Sequence, residues 1–281
     1  MDTIRSLSTN IISDRKRDEE EHLVFSSSEQ LFALPAHALL RIMDAPVCTS
    51  VPLTASYVRG VIDVQGETVP LIDLRIRLGS RSLQEEMEDL VELIAARRQD
   101  HVGWLTKLKD AVNRDQEITV QTDAHKCKFG LWYDRFETNS STFAGYMKRF
   151  DGPHQAVHAV AIRAKELMQS GDTEQAKDLI HETEDTVLKG LLTLFDGFEE
   201  QLKKHTHEYA VALRRPAGIF ALAVDTLVVF DRFTEVFEEL PTMLHNGRDQ
   251  FVTGLGRLSI GGRMRDVLIL DPDLLRGEMN E

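Results

Sequence analysis

The chain has 281 residues, 42% of them apolar, which is enough for real hydrophobic cores and suits two compact domains. Its formal net charge of -13 works against a nucleic-acid backbone or an anionic membrane surface as main partner, because both call for a basic face. Two cysteines, Cys48 and Cys127, imply no disulfide framework and fit a reducing cytoplasm.

Residues 1–21 are mixed polar and charged and lack the apolar core of a signal peptide, so a flexible tail is expected there. The most apolar region, Tyr209 to Phe230, is broken by Arg214, Arg215, Pro216 and Asp225. No membrane span is expected from it, and the location expected is cytoplasmic.

From Leu23 the texture is short apolar runs with turn signals between them. Leu23 to Phe25 and Leu31 to Leu34, joined by the polar run Ser26 to Gln30, predict a hairpin. Ala36 to Ile42 continues the pattern and Asp44-Ala-Pro46 ends it. Cys48 follows in a loop, with no base or ligand spacing around it. Val61 to Val64 and Val69 to Leu74 are strand-like, with Gly66 placed for a tight turn. Pro70 lies inside the second run and predicts an edge or bulged strand.

The segment Tyr57 to Gly79 resembles the signature of the CheW-like coupling domain of bacterial chemotaxis, roughly Gly-x-x-Asn-x-Arg-Gly-x-x-x-Pro-x-x-Asp-Leu-Arg. Gly60, Gly66, Pro70, Asp73, Leu74 and Arg75 fall in place. Two departures touch the neighbourhoods that help dock partners in that family. Asp63 and Gln65 stand where Asn and Arg are usual, and Arg41 replaces an acidic residue of the early strand. The resemblance implies binding to chemoreceptors and a CheA-type histidine kinase, with Arg41, Asp63 and Gln65 as candidate contact residues.

At Ser82 the period changes. Leu83, Met87, Leu90, Val91, Ile94, Ala95, Val102 and Leu105 recur mostly at spacings of three or four, and the pattern persists to Val112. Asn113 to Ala124 is polar and predicts a loop, with an extended piece over Ile118 to Val120. Further helices are expected over about 127–136, 143–150, 153–170 and 173–205. Gly171-Asp172 marks a stop and restart, and Asp151-Gly-Pro153 a start. The whole is a bundle of about four helices whose long first and last members are neighbours, so that it can be inserted into another domain.

β texture returns at Glu208. Tyr209 to Leu213 and Ile219 to Asp225 are expected strands, Thr226 to Phe230 continues the second, and Gly254 to Leu275 closes the domain. These resemble the second half of the coupling domain. The fold class is therefore α+β and multi-domain. A split SH3-like double β-barrel coupling domain, residues 22–80 and 208–281, is interrupted at one hairpin by a helical domain, residues 81–207.

Chemistry concentrates between Asp100 and His158. His154 and His158 are four apart, so on a helix their rings share a face and can chelate one ion. His101 on the first helix and Cys127 on the second complete a His₃Cys set, which suits a closed tetrahedral zinc site. His125, two residues before Cys127, is the rival ligand. The motifs His101-x-x-Trp104, Cys127-x-Phe129-Gly-x-Trp132 and His154-x-x-x-His158 resemble the chemoreceptor zinc-binding domain in content and chain order. That resemblance implies Zn²⁺ as cofactor and His101, Cys127, His154 and His158 as ligands. It also implies pairing as a homodimer through the helical domain, and hypochlorous acid or a change in zinc level as the signal, with Cys127 as the redox switch. Trp104, Phe129 and Trp132 are expected to pack beside the metal.

Three functions compete. The first is a signalling adaptor, not an enzyme, whose zinc thiolate is the input. The second is a scaffold with a purely structural zinc. The third is a zinc hydrolase, against which Gln155 stands where a metalloprotease helix carries its general-base Glu.

Overall fold

A computed structural model describes residues 20–138, 140–237 and 249–276. The tail expected over 1–21 lies outside these residues except for Glu20 and Glu21. The chain divides into two compact units, Met1–Leu83 with His207–Glu281, and Gln84–Thr206. No helix among the described residues is long and apolar enough to cross a membrane.

The first unit holds β1 (Glu21–Ser27), β2 (Gln30–Pro35), β3 (Leu39–Asp44), β4 (Val58–Val64) and β5 (Glu67–Asp73) before the helical segment. After it come β6 (Tyr209–Arg215), β7 (Gly218–Val224), β8 (Thr226–Arg232), β9 (Glu235–Phe237), β10 (Val252–Ile260) and β11 (Arg263–Leu270). Among the described residues these form a six-stranded sheet, β8-β1-β2-β11-β10-β9, and a five-stranded sheet, β3-β6-β7-β5-β4.

Three buried clusters explain the strand sequences. Leu23 and Phe25 of β1 meet Val211, Leu213, Phe220 and Leu222 of the other sheet in one shared core. Val24, on the opposite face of β1, packs with Ala33, Leu258 and Val267 in a core proper to the six-stranded sheet. Ala210, Ala212, Ala221 and Ala223 likewise turn away from the shared core to meet Ile62, Val64 and Val69. Strands covered on both faces have no polar side to alternate with, which is why Leu23-Val-Phe25 of β1 does not alternate and β6 and β7 carry long apolar runs.

Three expectations about the sheet unit need correction. Pro70 is not on an edge strand, since β5 lies between β4 and β7. Its missing N–H is nevertheless accommodated. Val61, its partner across β4, exchanges both backbone bonds with Thr49 on the other side. The nitrogen of Pro70 therefore faces β7, whose ladder with β5 starts only at Leu71. The helical segment is not inserted at a hairpin, because β5 and β6 are both neighbours of β7 and not of each other. And Thr226 to Phe230 does not prolong β7. The chain breaks at Asp225 and β8 crosses to pair with β1 in the six-stranded sheet. Asp225 fixes that break by accepting from the Arg75 guanidinium at 2.7 and 2.8 Å and from the Ser28 amide at 2.9 Å.

Two glycines of the coupling-domain signature have distinct physical reasons. Gly60 has φ +149°, and a Cβ there would lie 2.2 Å from the Thr49 carbonyl oxygen, so the bridge between Thr49 and Val61 needs it. Gly66 and Gln65 both have positive φ, 87° and 58°, as a two-residue hairpin turn requires. Asp63 accepts the Gly66 amide at 3.3 Å. Asp63 and Gln65 thus sit exposed at the β4–β5 turn, while Arg41 is exposed on β3, at the other end of the sheet order.

Arg59 of β4 ties the end of β5 to the residue before β6 within the first unit. Its Nε donates to Asp73 at 2.8 Å, and its two Nη groups donate to Glu208 at 2.6 Å each. Asp73 also caps α1 (Leu74–Arg77), which leads out of the sheet, and Glu208 immediately precedes β6. Burial disfavours the charged guanidinium, but the Glu208 and Asp73 carboxylates outweigh it and raise its pKa. Arg59→Met strands a buried carboxylate at Asp73, so it is expected to destabilise this unit by about 3 kcal/mol in urea unfolding. A loss below about 0.5 kcal/mol, the scale of an ordinary surface change, would show the clamp to be neutral.

The helical unit opens with α2 (Leu83–Asn113), followed by α3 (Lys128–Tyr133), α4 (Ser141–Lys148), α5 (Asp151–Gln169), α6 (Thr173–Thr183) and α7 (Lys189–His205). Ser140 caps α4 by accepting the Phe143 amide at 3.2 Å. One core joins them, with Leu105 and Leu108 of α2, Phe129 of α3, Phe143 and Met147 of α4, Val157 and Ala161 of α5, Ile180 of α6, and Leu191 and Phe195 of α7. The single last helix expected over 173–205 is interrupted by a π-helical turn, Glu184–Leu188. The extended piece expected at Ile118 forms no strand. Instead Ile118 is buried in this core.

Candidate metal centre

Four residues from three helices converge inside the helical unit. His101 sits midway along α2, Cys127 is the residue that caps α3, and His154 and His158 lie one turn apart on the buried face of α5. Their ligand atoms all lie within 4.8 Å of one another. The three histidines are only 1–4% exposed, and Cys127 is half-buried.

The hydrogen bonds decide which imidazole nitrogen faces inward. His101 Nδ1 donates to the Arg97 carbonyl at 2.7 Å, and His158 Nδ1 donates to the Gln121 carbonyl at 2.8 Å. Nδ1 is thus the protonated atom in each, and Nε2 carries the lone pair. Both Nε2 atoms are buried without a hydrogen-bond partner among the described residues. Unsatisfied buried acceptors are costly, and two of them pointing into one cluster are what a cation would satisfy. His154 Nε2 lies 3.2 Å from Cys127 Sγ, which also accepts the Gly130 amide at 3.2 Å.

Electrostatics favours the ligand forms of the rings. Burial lowers all three imidazole pKa values, and the neighbouring imidazoles add to the effect on His154, pushed down to about 3. At neutral pH the rings are neutral and need shed no proton to bind a metal. Burial pushes the Cys127 thiol up, against the pull of the Gly130 and Phe129 amides. A bound cation reverses that balance and holds the sulfur as thiolate. Three imidazoles and one thiolate fit a tetrahedral zinc ion. His101, Cys127, His154 and His158 would hold such an ion, their ligand atoms all lying within 4.8 Å of one another.

Aromatic rings surround the four residues. Phe129 packs edge-on to His154, with centroids 4.9 Å apart, and Trp104 lies 5.0 Å from His158. Trp132 is one layer further out, against Phe129 and Phe136. Phe195 of α7 packs on His101 at 5.4 Å. Its sequence signal marks only an apolar helix face. The rival ligand His125 is exposed and turned away, held by Asp134 at 3.0 Å, which raises its pKa. Gln155 is exposed and donates to Asp151 at 2.8 Å, so it does not face the cluster. A cavity of about 540 Å³ opens beside the site, lined by Trp104, Lys107, Val120, Gln121, Cys127 and His158 among others.

Fold and site together define a two-sheet unit carrying an inserted helical unit with a His₃Cys cluster. Comparison with known proteins agrees. The family model for the CheW-like domain matches residues 21–123, and that for the chemoreceptor zinc-binding domain matches residues 101–165. The chain therefore carries a CheW-like domain and a chemoreceptor zinc-binding domain, and its cofactor is Zn²⁺. The second match contains all four residues of the cluster. Strands β6 to β11, beyond both matches, complete the two sheets.

Among curated proteins, the chain is similar to the chemotaxis protein CheW of Helicobacter pylori, 27% identical over 107 residues, or 36% of this chain. The alignment spans 64% of that relative's length. Among solved structures, the scaffolding protein TtCheW from Thermoanaerobacter tengcongensis aligns over 93% of this chain and 95% of its own, at 11% identity and a TM-score of 0.43. That likeness is too loose to add to the fold argument.

Proposed function

We propose that the chain is a chemotaxis adaptor whose sheet unit couples chemoreceptors to a CheA-type histidine kinase. Its helical unit supplies a chemical input at a zinc held by His101, Cys127, His154 and His158. The observation that carries the reading is the pair of buried, unpartnered Nε2 atoms converging with a thiol. Setting is cytoplasmic in this reading, and the helical units pair as a homodimer.

The thiolate is the group most open to oxidants. Hypochlorous acid oxidises a thiol by two electrons. The thiolate sulfur takes the hydroxyl of hypochlorous acid and becomes sulfenic acid, and the chlorine leaves as chloride with the O–Cl electron pair. Sulfenic acid is a poorer zinc ligand than thiolate, so oxidation loosens the site. The cavity beside Cys127 gives a small oxidant access. The histidines keep their lone pairs, so zinc can return once sulfur is reduced.

A structural zinc is the second reading, favoured by the near-complete burial of the three histidines. One experiment separates the two. Binding of the purified full chain to a CheA-type kinase and a chemoreceptor cytoplasmic fragment is measured before and after one equivalent of hypochlorous acid, in wild type and Cys127→Ser. The sensor reading expects an affinity change of about fivefold in wild type, roughly 1 kcal/mol of coupling, and none in the variant. Unchanged binding leaves a scaffold with structural zinc. No binding to either partner overturns the adaptor reading.

A further inference from the structure

The geometry points to Trp104 as a positioning residue that sets the tautomer of His158. This rests on the zinc reading above and deepens it. The Gln121 carbonyl accepts two bonds at once, from the Trp104 indole Nε1 at 2.8 Å and from His158 Nδ1 at 2.8 Å. Nothing else among the described residues ties His158 Nδ1. Its other nitrogen, Nε2, is the buried atom without a partner. If Nδ1 lost its acceptor, the proton could move to Nε2 and occupy the lone pair that faces the cluster.

Gln121 itself is exposed, in the stretch between α2 and α3, and its backbone belongs to no helix or strand. Its carbonyl is therefore not fixed by a ladder. The indole, seated 5.0 Å from the His158 ring on the rigid α2, is the anchor that is available. Trp104 is one turn from His101 on the same helix. The residue that presents one imidazole to the cluster thus lies beside the residue that orients another. Packing alone would be served as well by phenylalanine. The indole N–H is what the arrangement uses.

The test uses the full chain as Trp104→Phe, Trp104→Ala and Trp132→Phe. Trp132 makes no indole hydrogen bond among the described residues, so its variant controls for loss of ring size. Long-range ¹H–¹⁵N spectra of the metal-free protein report which His158 nitrogen is protonated, independently of zinc. Competition with a chromophoric chelator gives the zinc affinity. Trp104→Phe is expected to convert His158 from one Nδ1–H species to a mixture and to weaken zinc about tenfold, the scale of lost outer hydrogen bonds at metal sites. Trp104→Ala is expected to do at least as much, and Trp132→Phe to leave both readouts unchanged. An unchanged tautomer in Trp104→Phe overturns the assignment, whatever the affinity. If wild type takes up no zinc while the tautomer still follows Trp104, the zinc reading fails and the positioning role stands.

Discussion

Stripping zinc from the full chain is expected to lower the melting temperature of the helical unit by about 15 °C and to leave the sheet unit nearly unmoved. Without a cation, two buried imidazole lone pairs have no partner among the described residues, and each such group costs about 1–3 kcal/mol. Mass action gives a similar size. A ligand a thousandfold above its dissociation constant stabilises by about 4 kcal/mol. In a unit spanning Gln84–Thr206, each kcal/mol moves the midpoint by about 4 °C. The bundle should remain folded below that midpoint, because its core runs from Ile94 to Leu202 well beyond the cluster. Calorimetry with and without chelator checks this. A helical transition that does not move would mean the cluster is satisfied without metal.

Gly130→Ala is expected to cost about a hundredfold in zinc affinity, near 3 kcal/mol. The reason is space. A Cβ at 130 would lie 1.9 Å from the Ala124 carbonyl oxygen and 3.0 Å from the His125 Cα, both backbone atoms that cannot swing aside. The 3₁₀ turn Ala124–Lys126 would have to move, and Cys127 follows it directly. The same change disturbs the Gly130 amide that donates to Sγ. Gly190→Ala in α7 is the contrast. Nothing lies within 4 Å of a Cβ there, so helix propensity alone acts, and a gain of about 0.5–1 kcal/mol is expected. Chelator competition and urea unfolding measure the two effects. If Gly130→Ala held zinc as tightly as wild type, the contact with Ala124 would not be what sets Cys127.

Those two glycines show what a sequence can and cannot convey. The glycine of Cys-x-Phe-Gly is visible as a motif letter, but its reason is a carbonyl six residues earlier, which no letter records. The cluster was legible because side chains carry it. Two histidines four apart on a helix must share a face, and the structure brings His101 and Cys127 to them. The groups that orient the rings were not legible, since the carbonyls of Arg97 and Gln121 are the same atom in every residue. Phe195 was hidden for another reason. Its apolar periodicity says that it is inside and not whom it touches.

The same limits appear in the sheets. The run from Ile219 to Phe230 is strand-like on both sides of Asp225, and that one polar letter does not say that a strand ends there and the next crosses to another sheet. That decision is made by Arg75 and Ser28, far away in sequence. Pro70 argues for an edge, and at the backbone nitrogen it is right, because the β7 ladder begins one residue later. The π-helical turn at Glu184–Leu188 breaks no compositional rule. Thr186 donates back to the Glu182 carbonyl there at 2.6 Å, which does not distinguish it from an α-helical threonine.

The most direct test of the zinc-thiolate account is zinc per chain in purified wild type and Cys127→Ala, each before and after a brief dose of hypochlorous acid. The account predicts one zinc per wild-type chain, its release by the oxidant, and a variant that holds zinc weakly and does not respond. Absence of zinc from wild type, or release from the variant to the same extent, would contradict it.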